Sequence, residues 1–254
     1  MIIILVIINL NIFFLEIMRL YLNAWKAVSN DLNTTDEWKE WSIVLNKPQG
    51  DLVLKVNDIP PMLRRRCSTA SKIALSLALG FLEEKNINAG VFCSQHGELH
   101  NTVDLFKQIK AKEVLSPNKF SQCVHNTSSG LLSIQKNLNI PFNSISAGCE
   151  TFQMGLIDAI AQLKDKKNIL FITFDEKNPE LYSKLNVKYD LDYGLALYIS
   201  SEYKETSIVL DIEFDTNHIS KTAIPPALIF IAWLLGDRKG TLVLPMLKIK
   251  ELSS

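Results

Sequence analysis

The sequence predicts an α/β fold with helices packed on the faces of a sheet. Two observations carry that prediction. Short apolar runs of strand length, AGVFCS (89–94) and NILFITFD (168–175), are almost free of charge, as strands covered on both faces are. Around them lie longer segments whose apolar positions recur at helical spacing. Alternation of the two kinds of segment places helices on the faces of one sheet. Composition agrees: the 254 residues are 47% hydrophobic and carry 27 Lys+Arg against 27 Asp+Glu, too apolar and too balanced for a disordered chain. Zero formal net charge leaves no electrostatic footprint for nucleic acid, so no such partner is expected. Four widely spread cysteines (Cys67, Cys93, Cys123, Cys149) are too sparse for a disulfide scaffold and read as reduced thiols of a cytoplasmic protein.

Taken in order, Arg19 to Val28 reads as a strand, and residues 29–60 as a mixed polar stretch with turn signals at Asn30-Asp31, Lys47-Pro48 and Gln49-Gly50. After Pro60-Pro61 a helix of about five turns is expected, with Ile73, Leu77, Phe81 and Leu82 on one side and Ala70, Ala74 and Ala78 allowing close packing. The buried strand 89–94 follows, then an amphipathic helix from Leu99 to Val114. Ser116-Pro117 starts a short helical piece reaching about His125, and Ser128 to Leu138 is helical. Ile140 to Ile145 is a short strand, and Glu150 to Leu163 is a periodic helix led by Phe152, Leu156, Ile157 and Ile160. The strand 168–175 comes next. Tyr193 to Ser200 and Ser207 to Phe214, joined by a short polar link, are expected to form a hairpin. Pro226 to Leu235 is an apolar helix and Thr241 to Leu247 a last strand. No fixed-period repeat and no low-complexity linker divides the chain.

The opening, MIIILVIINLNIFFL, stands apart. Fifteen uncharged residues fall short of the roughly 20 needed to span a bilayer as a helix. No basic residue precedes the run and no small-residue cleavage pattern follows it, so it does not read as a secretory signal. Two readings stay open: residues added by an upstream start codon, or a membrane-surface or hydrophobic anchor. We expect 1–17 to be an apolar extension outside the fold and 18–254 to form one domain, with no stable membrane partner. Intact mass of natively expressed protein separates the two readings.

The sharpest local chemistry is SISAGCETFQMGLIDAI, where a strand runs through Ser146, Ala147, Gly148 and Cys149 into a helix. A thiol at a helix N-terminus meets free N–H groups that favour the thiolate. The same amides are placed to form an oxyanion hole. The alternative is a small, inert, packed cap residue. A Cys nucleophile needs a base, and of His96, His100, His125 and His218 only His218 lies beyond Cys149, in a polar stretch that reads as a solvated turn. Cys93, His96 and His100 have ligand-like spacing, but no fourth ligand declares itself, and neither a metal nor a cofactor is expected. Arg64, Arg65 and Arg66 read as a solvated basic face or as a docking patch for an acidic phosphopantetheine carrier. The chain holds no Gly-rich phosphate loop and no G-x-S-x-G elbow.

Read together and in order, IPPMLRRRCSTASKIALSLA, VFCSQHGE, LSPNKFSQCVHNTSSGLLSI, NIPFNSISAGCETFQMGLIDAI, ILFITFDE and YGLALYIS resemble the N-terminal half of the β-ketoacyl synthases, members of the thiolase-like superfamily. The resemblance covers about residues 18–200 and includes Asn126 in the helix after the Ser-Pro loop. It implies a thiolase-like layered fold, helices packed on a mixed sheet, truncated, with most of the C-terminal half missing. Two departures bear on function. The family elbow reads Thr-Ala-Cys; laying Ser146-Ala147 on Thr-Ala puts Gly148 at the nucleophile's place and Cys149 one residue late, about 100° around a helix. The family also takes two histidines, or a histidine and an asparagine, from Gly- and Thr-rich motifs of its second half, and this chain has only His218 downstream.

Both departures imply a catalytically silent subunit of the chain-length-factor type, resembling the short ones of aryl polyene pathways, whose terminal pattern IPPALIFIAWLLGDRKGTLVLP fits. The implied partners are an active β-ketoacyl synthase, in a heterodimer, and transiently an acyl carrier protein. The implied interface is the strand beside the elbow, with Ile140, Phe142, Ser144 and Ile145. The implied tunnel-setting side chains are Leu99, Val103 and Phe106, whose alternative is ordinary core packing. Two other readings remain: an acyltransferase or condensing enzyme with Cys149 as its acylated nucleophile, and a thiolase-fold interaction protein of another role.

Overall fold

The computed structural model describes residues 17–83, 85–182, 188–215, 223–236 and 240–252. Their strands are β1 (Met18–Ser29), β2 (Ala89–Cys93), β3 (Phe142–Ile145), β4 (Asn168–Asp175), β5 (Tyr193–Ser200), β6 (Ile208–Asp215), β7 (Thr241–Leu244) and β8 (Met246–Glu251). Their α-helices are α1 (Thr35–Val44), α2 (Pro61–Arg64), α3 (Thr69–Leu82), α4 (Leu99–Lys110), α5 (Pro117–Phe120), α6 (Thr127–Lys136), α7 (Thr151–Gln162) and α8 (Pro226–Leu235). The sheet runs β3-β2-β4-β5-β1-β6-β8-β7. β3, β2 and β4 are mutually parallel, whereas every pairing from β4 outward to β7 is antiparallel. The mixed sheet expected from the sequence is the one found.

Two apolar clusters cover its faces. On one side α7 and α8 bring Phe152, Leu156, Leu228 and Phe230 against Val91, Phe171 and Leu197. On the other, Ile73, Ala74, Leu77 and Phe81 of α3 meet Leu170, Ile172 and Ala196. β4 and β5 therefore lie buried along nearly their whole length, which explains their unbroken apolar runs. α3 starts where the Ser68 side chain accepts the Ser71 N–H, so the arginine cluster straddles the end of α2, with Arg65 and Arg66 between the two helices, and does not lie inside one long helix.

Three expectations need correction. Within 29–60, α1 is a helix of ten residues, opened by a capping box of Thr34 and Glu37 and closed by Leu45 in the left-handed region at φ 50°. Its only buried anchors are Trp38 and Trp41, one turn apart among charged residues, so its periodicity is faint. β5 and β6 do not form a hairpin. Ser200 and Val209 both pair with Tyr21, so the chain crosses β1 and continues in the same direction on its far side. β1, at 12 residues, is long enough to serve both. Finally, the last strand is two strands: Pro245 breaks the run, and Leu244 pairs back on Leu247. The extension is outside the described residues except for Ile17, and His218 is also outside them.

Candidate functional site

Parallel strands point their C-terminal ends the same way, and in open α/β sheets ligands bind off that edge. Here β3, β2 and β4 deliver three segments to it: the elbow 146–149, the turn 94–98, and Asp175-Glu176.

The elbow has the backbone of a strand-to-helix turn. Ser146 Oγ donates to the Gln95 carbonyl at 3.1 Å, which ties the elbow to the neighbouring turn. Thr151 Oγ1 accepts from the Ala147 N–H at 2.9 Å and donates to the Gly148 carbonyl at 2.7 Å. Gly148 has φ 59°, a conformation that strains an L-residue, and no atom stands within 4 Å of where its Cβ would be. Cys149 lies in a short 3₁₀ turn, Gly148–Glu150, and the α-helix begins only at Thr151. Its thiol is half-buried, and burial pushes its pKa up; Glu150 adds to the rise and Lys188 opposes it. Cys149 precedes the helix, and desolvation outweighs the nearby cation. No described histidine is hydrogen-bonded to Cys149. His100 Nε2 is 2.7 Å from the Lys177 carbonyl, and His125 lies against Gly97.

The neighbouring turn is held far more tightly. Asp175, buried at the end of β4, accepts Ser94 Oγ at 2.7 Å, the His96 N–H at 3.0 Å, the Gln95 N–H at 3.2 Å and the Tyr193 hydroxyl at 3.2 Å. Burial pulls its pKa up and the hydrogen bonds to Ser94, His96 and Gln95 oppose that pull. Gly97, at φ 56°, closes the turn with its N–H on Ser94 Oγ at 2.6 Å. Glu98 then starts α4 from inside the protein. Ser71 Oγ donates to its Oε1 at 2.5 Å and Asn101 Nδ2 to its Oε2 at 2.8 Å. Glu176 is buried beside this network and its carboxyl is pushed up to about 7, chiefly by desolvation. Sequence reading quoted HGE and ILFITFDE but gave Glu98, Asp175 and Glu176 no role. The available signal was acidic residues standing at the mouth of apolar strands, where an unpaired charge is costly.

The expected site residues spread over different environments. Of the α4 stripe, Val103 is buried, Leu99 is half-buried and Phe106 is 60% exposed. Ile140 precedes β3, which begins at Phe142. Phe142 packs on Phe92 with ring centroids 5.7 Å apart, Ser144 approaches Ser129 Oγ at 3.4 Å, and Ile145 packs into the core. Their side chains serve this chain's own two faces. What β3 presents outward is backbone, because β2 is its only partner strand among the described residues. Cys93 is fully buried, and among the described residues no three His, Cys, Asp or Glu side chains stand together as a metal site. Likewise, no described helix is long and apolar enough to cross a membrane.

Comparison with known proteins follows the same line. The chain matches the family model described as "Beta-ketoacyl synthase, N-terminal domain" over residues 38–243. It is similar to a chain in the structure of a ketosynthase in complex with its chain length factor from Xenorhabdus doucetiae, with 27% identity and a TM-score of 0.80. That match covers 91% of this chain and 98% of the other. The fold also recurs in the ishigamide ketosynthase/chain length factor, at 14% identity and TM-score 0.59 over 78% of this chain and 68% of that one. A β-ketoacyl synthase from Burkholderia phymatum STM815 shares it at 15% identity and TM-score 0.57, over 80% of this chain and 66% of that one. No curated protein matches. With a thiolase-like sheet, an elbow off β3 and a family model spanning most of its length, the chain belongs to the β-ketoacyl synthase family through its N-terminal domain.

Proposed function

We propose that the chain is a non-catalytic, chain-length-factor-like subunit. It pairs with an active β-ketoacyl synthase as a cytoplasmic heterodimer and shapes the acyl tunnel during fatty acid or polyketide elongation of the aryl polyene type. The observation that carries this reading is the elbow. Its backbone turn is intact, yet Gly148 puts no side chain at the nucleophile's place, and the thiol of Cys149 is held away from its reactive form.

Three further features support it. The match to a chain in a ketosynthase–chain length factor complex is nearly end to end for both chains. β3 leaves an edge on which a second sheet can pair. Phe106, Ile109, Val114, Phe120 and Val124 are exposed within 106–124, large apolar side chains that burial against a partner would suit. On this reading Phe106 and its neighbours on α4 exclude further methylenes from the synthase's tunnel. Arg65, Arg66 and Lys119 outnumber the one acid, Asp104, around a cavity of about 310 Å³ also lined by Asn101, Asn118 and Gln122, a basic excess that suits transient docking of an acidic carrier protein.

The test is co-expression with an active β-ketoacyl synthase from the same source. The two chains should co-purify in equal amounts, and the synthase alone should lose elongation. A monodisperse chain that never binds the synthase, beside a fully active synthase, would overturn the proposal. Within the complex, Phe106→Ala should lengthen the products.

A further inference from the structure

We propose that a cavity beside the open edge of β1, apart from the elbow, is a binding site for a small planar aromatic carboxylate. The site lies within this chain, so it stands whether or not the chain serves a synthase.

The cavity follows from where the sheet stops. β6 pairs with β1 only from Met18 to Leu22, whereas β1 stays paired with β5 as far as Ser29. From Trp25 to Val28, therefore, no described strand lies on the side of β1 away from β5. The start of α1, the segment 53–58 and α3 close around that edge and leave a cavity of about 550 Å³. Clefts of about 300–1,000 Å³ are the size that holds small ligands. Its buried walls include Val28, Trp38 and Leu77, and its exposed rim carries Lys26, Lys55 and Asp58. That is an apolar body with a charged mouth.

Three observations define the ligand. The first is charge: the two lysines outnumber the one acid at the rim, and neither forms an ion pair among the described residues. One of those cations is also seated. Lys26 Nζ lies 5.1 Å from the ring centroid of Phe81, and a Cβ on Gly80 would collide with it. Glycine weakens a helix interior relative to alanine, and at position 80 of α3 it makes room for the ammonium group. The second is an orphan donor. Trp38 is 2% exposed and forms part of the wall, and its indole N–H has no hydrogen-bond partner among the described residues. A buried donor without an acceptor is rare and costly, and a ligand oxygen at this wall would supply one. The third is shape: Trp25 and Trp38 both line the cavity, and indole rings favour a flat aromatic body against their faces and edges. An aromatic acid meets all three requirements, with its carboxylate toward the lysines and its ring on the apolar walls.

The test is isothermal titration calorimetry of the purified full-length chain, in complex with a synthase where the two co-purify. The probes are 2-naphthoate and its uncharged counterpart 2-naphthamide. Naphthoate should bind one to one, and naphthamide about tenfold more weakly, the scale of one charge-assisted hydrogen bond. Lys26→Met keeps the apolar stem and removes the charge; it should weaken naphthoate about tenfold and leave naphthamide unchanged. Gly80→Ala, which displaces the ammonium group without removing it, should weaken naphthoate with the same selectivity. Lys55→Met should act in the same direction on a residue outside the sheet and helices, and Trp38→Phe, which removes the N–H and keeps a ring, should weaken both probes. Circular dichroism establishes that each variant is folded. Absence of naphthoate binding up to its solubility limit would overturn the proposal. So would equal affinity for the two probes, which marks an unselective apolar cleft, or naphthoate binding untouched by Lys26→Met and Gly80→Ala alike.

Discussion

The two turns at the C-terminal edge of the parallel strands are built alike and furnished differently. Both the elbow 146–149 and the turn 94–98 contain a left-handed glycine followed by a helix start. The turn 94–98 is crowded: four donors converge on Asp175, and a Cβ on Gly97 would meet His125 Nδ1 at 2.7 Å. At the elbow, space is open around Gly148 and the thiol beside it is half-buried. The difference teaches that hydrogen bonding at this edge is concentrated on the turn that starts α4 and is sparse at the elbow.

Substitutions sharpen the contrast, beginning with the hub. Asp175→Ala leaves four donors without their acceptor and should cost about 3–5 kcal/mol in urea unfolding. A loss below about 1 kcal/mol would mean the turn is not built on this carboxylate. The two glycines come next. Both Gly97→Ala and Gly148→Ala incur the left-handed penalty of about 1–2 kcal/mol, but only Gly97→Ala also collides with a neighbour. Gly97→Ala should therefore destabilise more, and equal losses would erase the contrast.

The pH response is of intermediate size. The Glu176 carboxyl lies at 4.5 when unperturbed and at about 7 in the folded chain. Below the first value both states are protonated. Between the two, only the folded chain keeps the proton, so stability falls as pH rises through that window. The loss is about 3 kcal/mol, or about 6–12 °C in melting temperature, and Glu176→Gln should abolish it. A melting temperature that rises over the window would reverse the assignment. The smallest effect belongs to the elbow: Cys149→Ser should change stability by less than about 1 kcal/mol, because the thiol is only half-buried and has room to adapt.

Much of this molecule was legible before its coordinates. Strands 168–175 and 193–200 and the helix 226–235 coincide with the reading because burial on all sides leaves an unbroken apolar signature. α1 was missed because two tryptophans alone anchor it. The supposed hairpin failed because strand length does not say which strands pair, and β1 stands between β5 and β6. At the site, Gly148 and Cys149 were found through local spacing. Glu98, Asp175 and Glu176 were not joined, since nearly 80 residues separate them and only the parallel register of β2 and β4 brings them together. The three α4 residues were read as one stripe, yet exposure separates Phe106 from Val103.

The central claim, that this chain shapes elongation without performing it, is tested most directly by mass spectrometry of the reconstituted complex during turnover with acyl carrier thioesters. The account predicts an acyl adduct on the synthase, none on this chain, and full turnover with Cys149→Ala. A stoichiometric adduct at Cys149, lost together with turnover in Cys149→Ala, would contradict it.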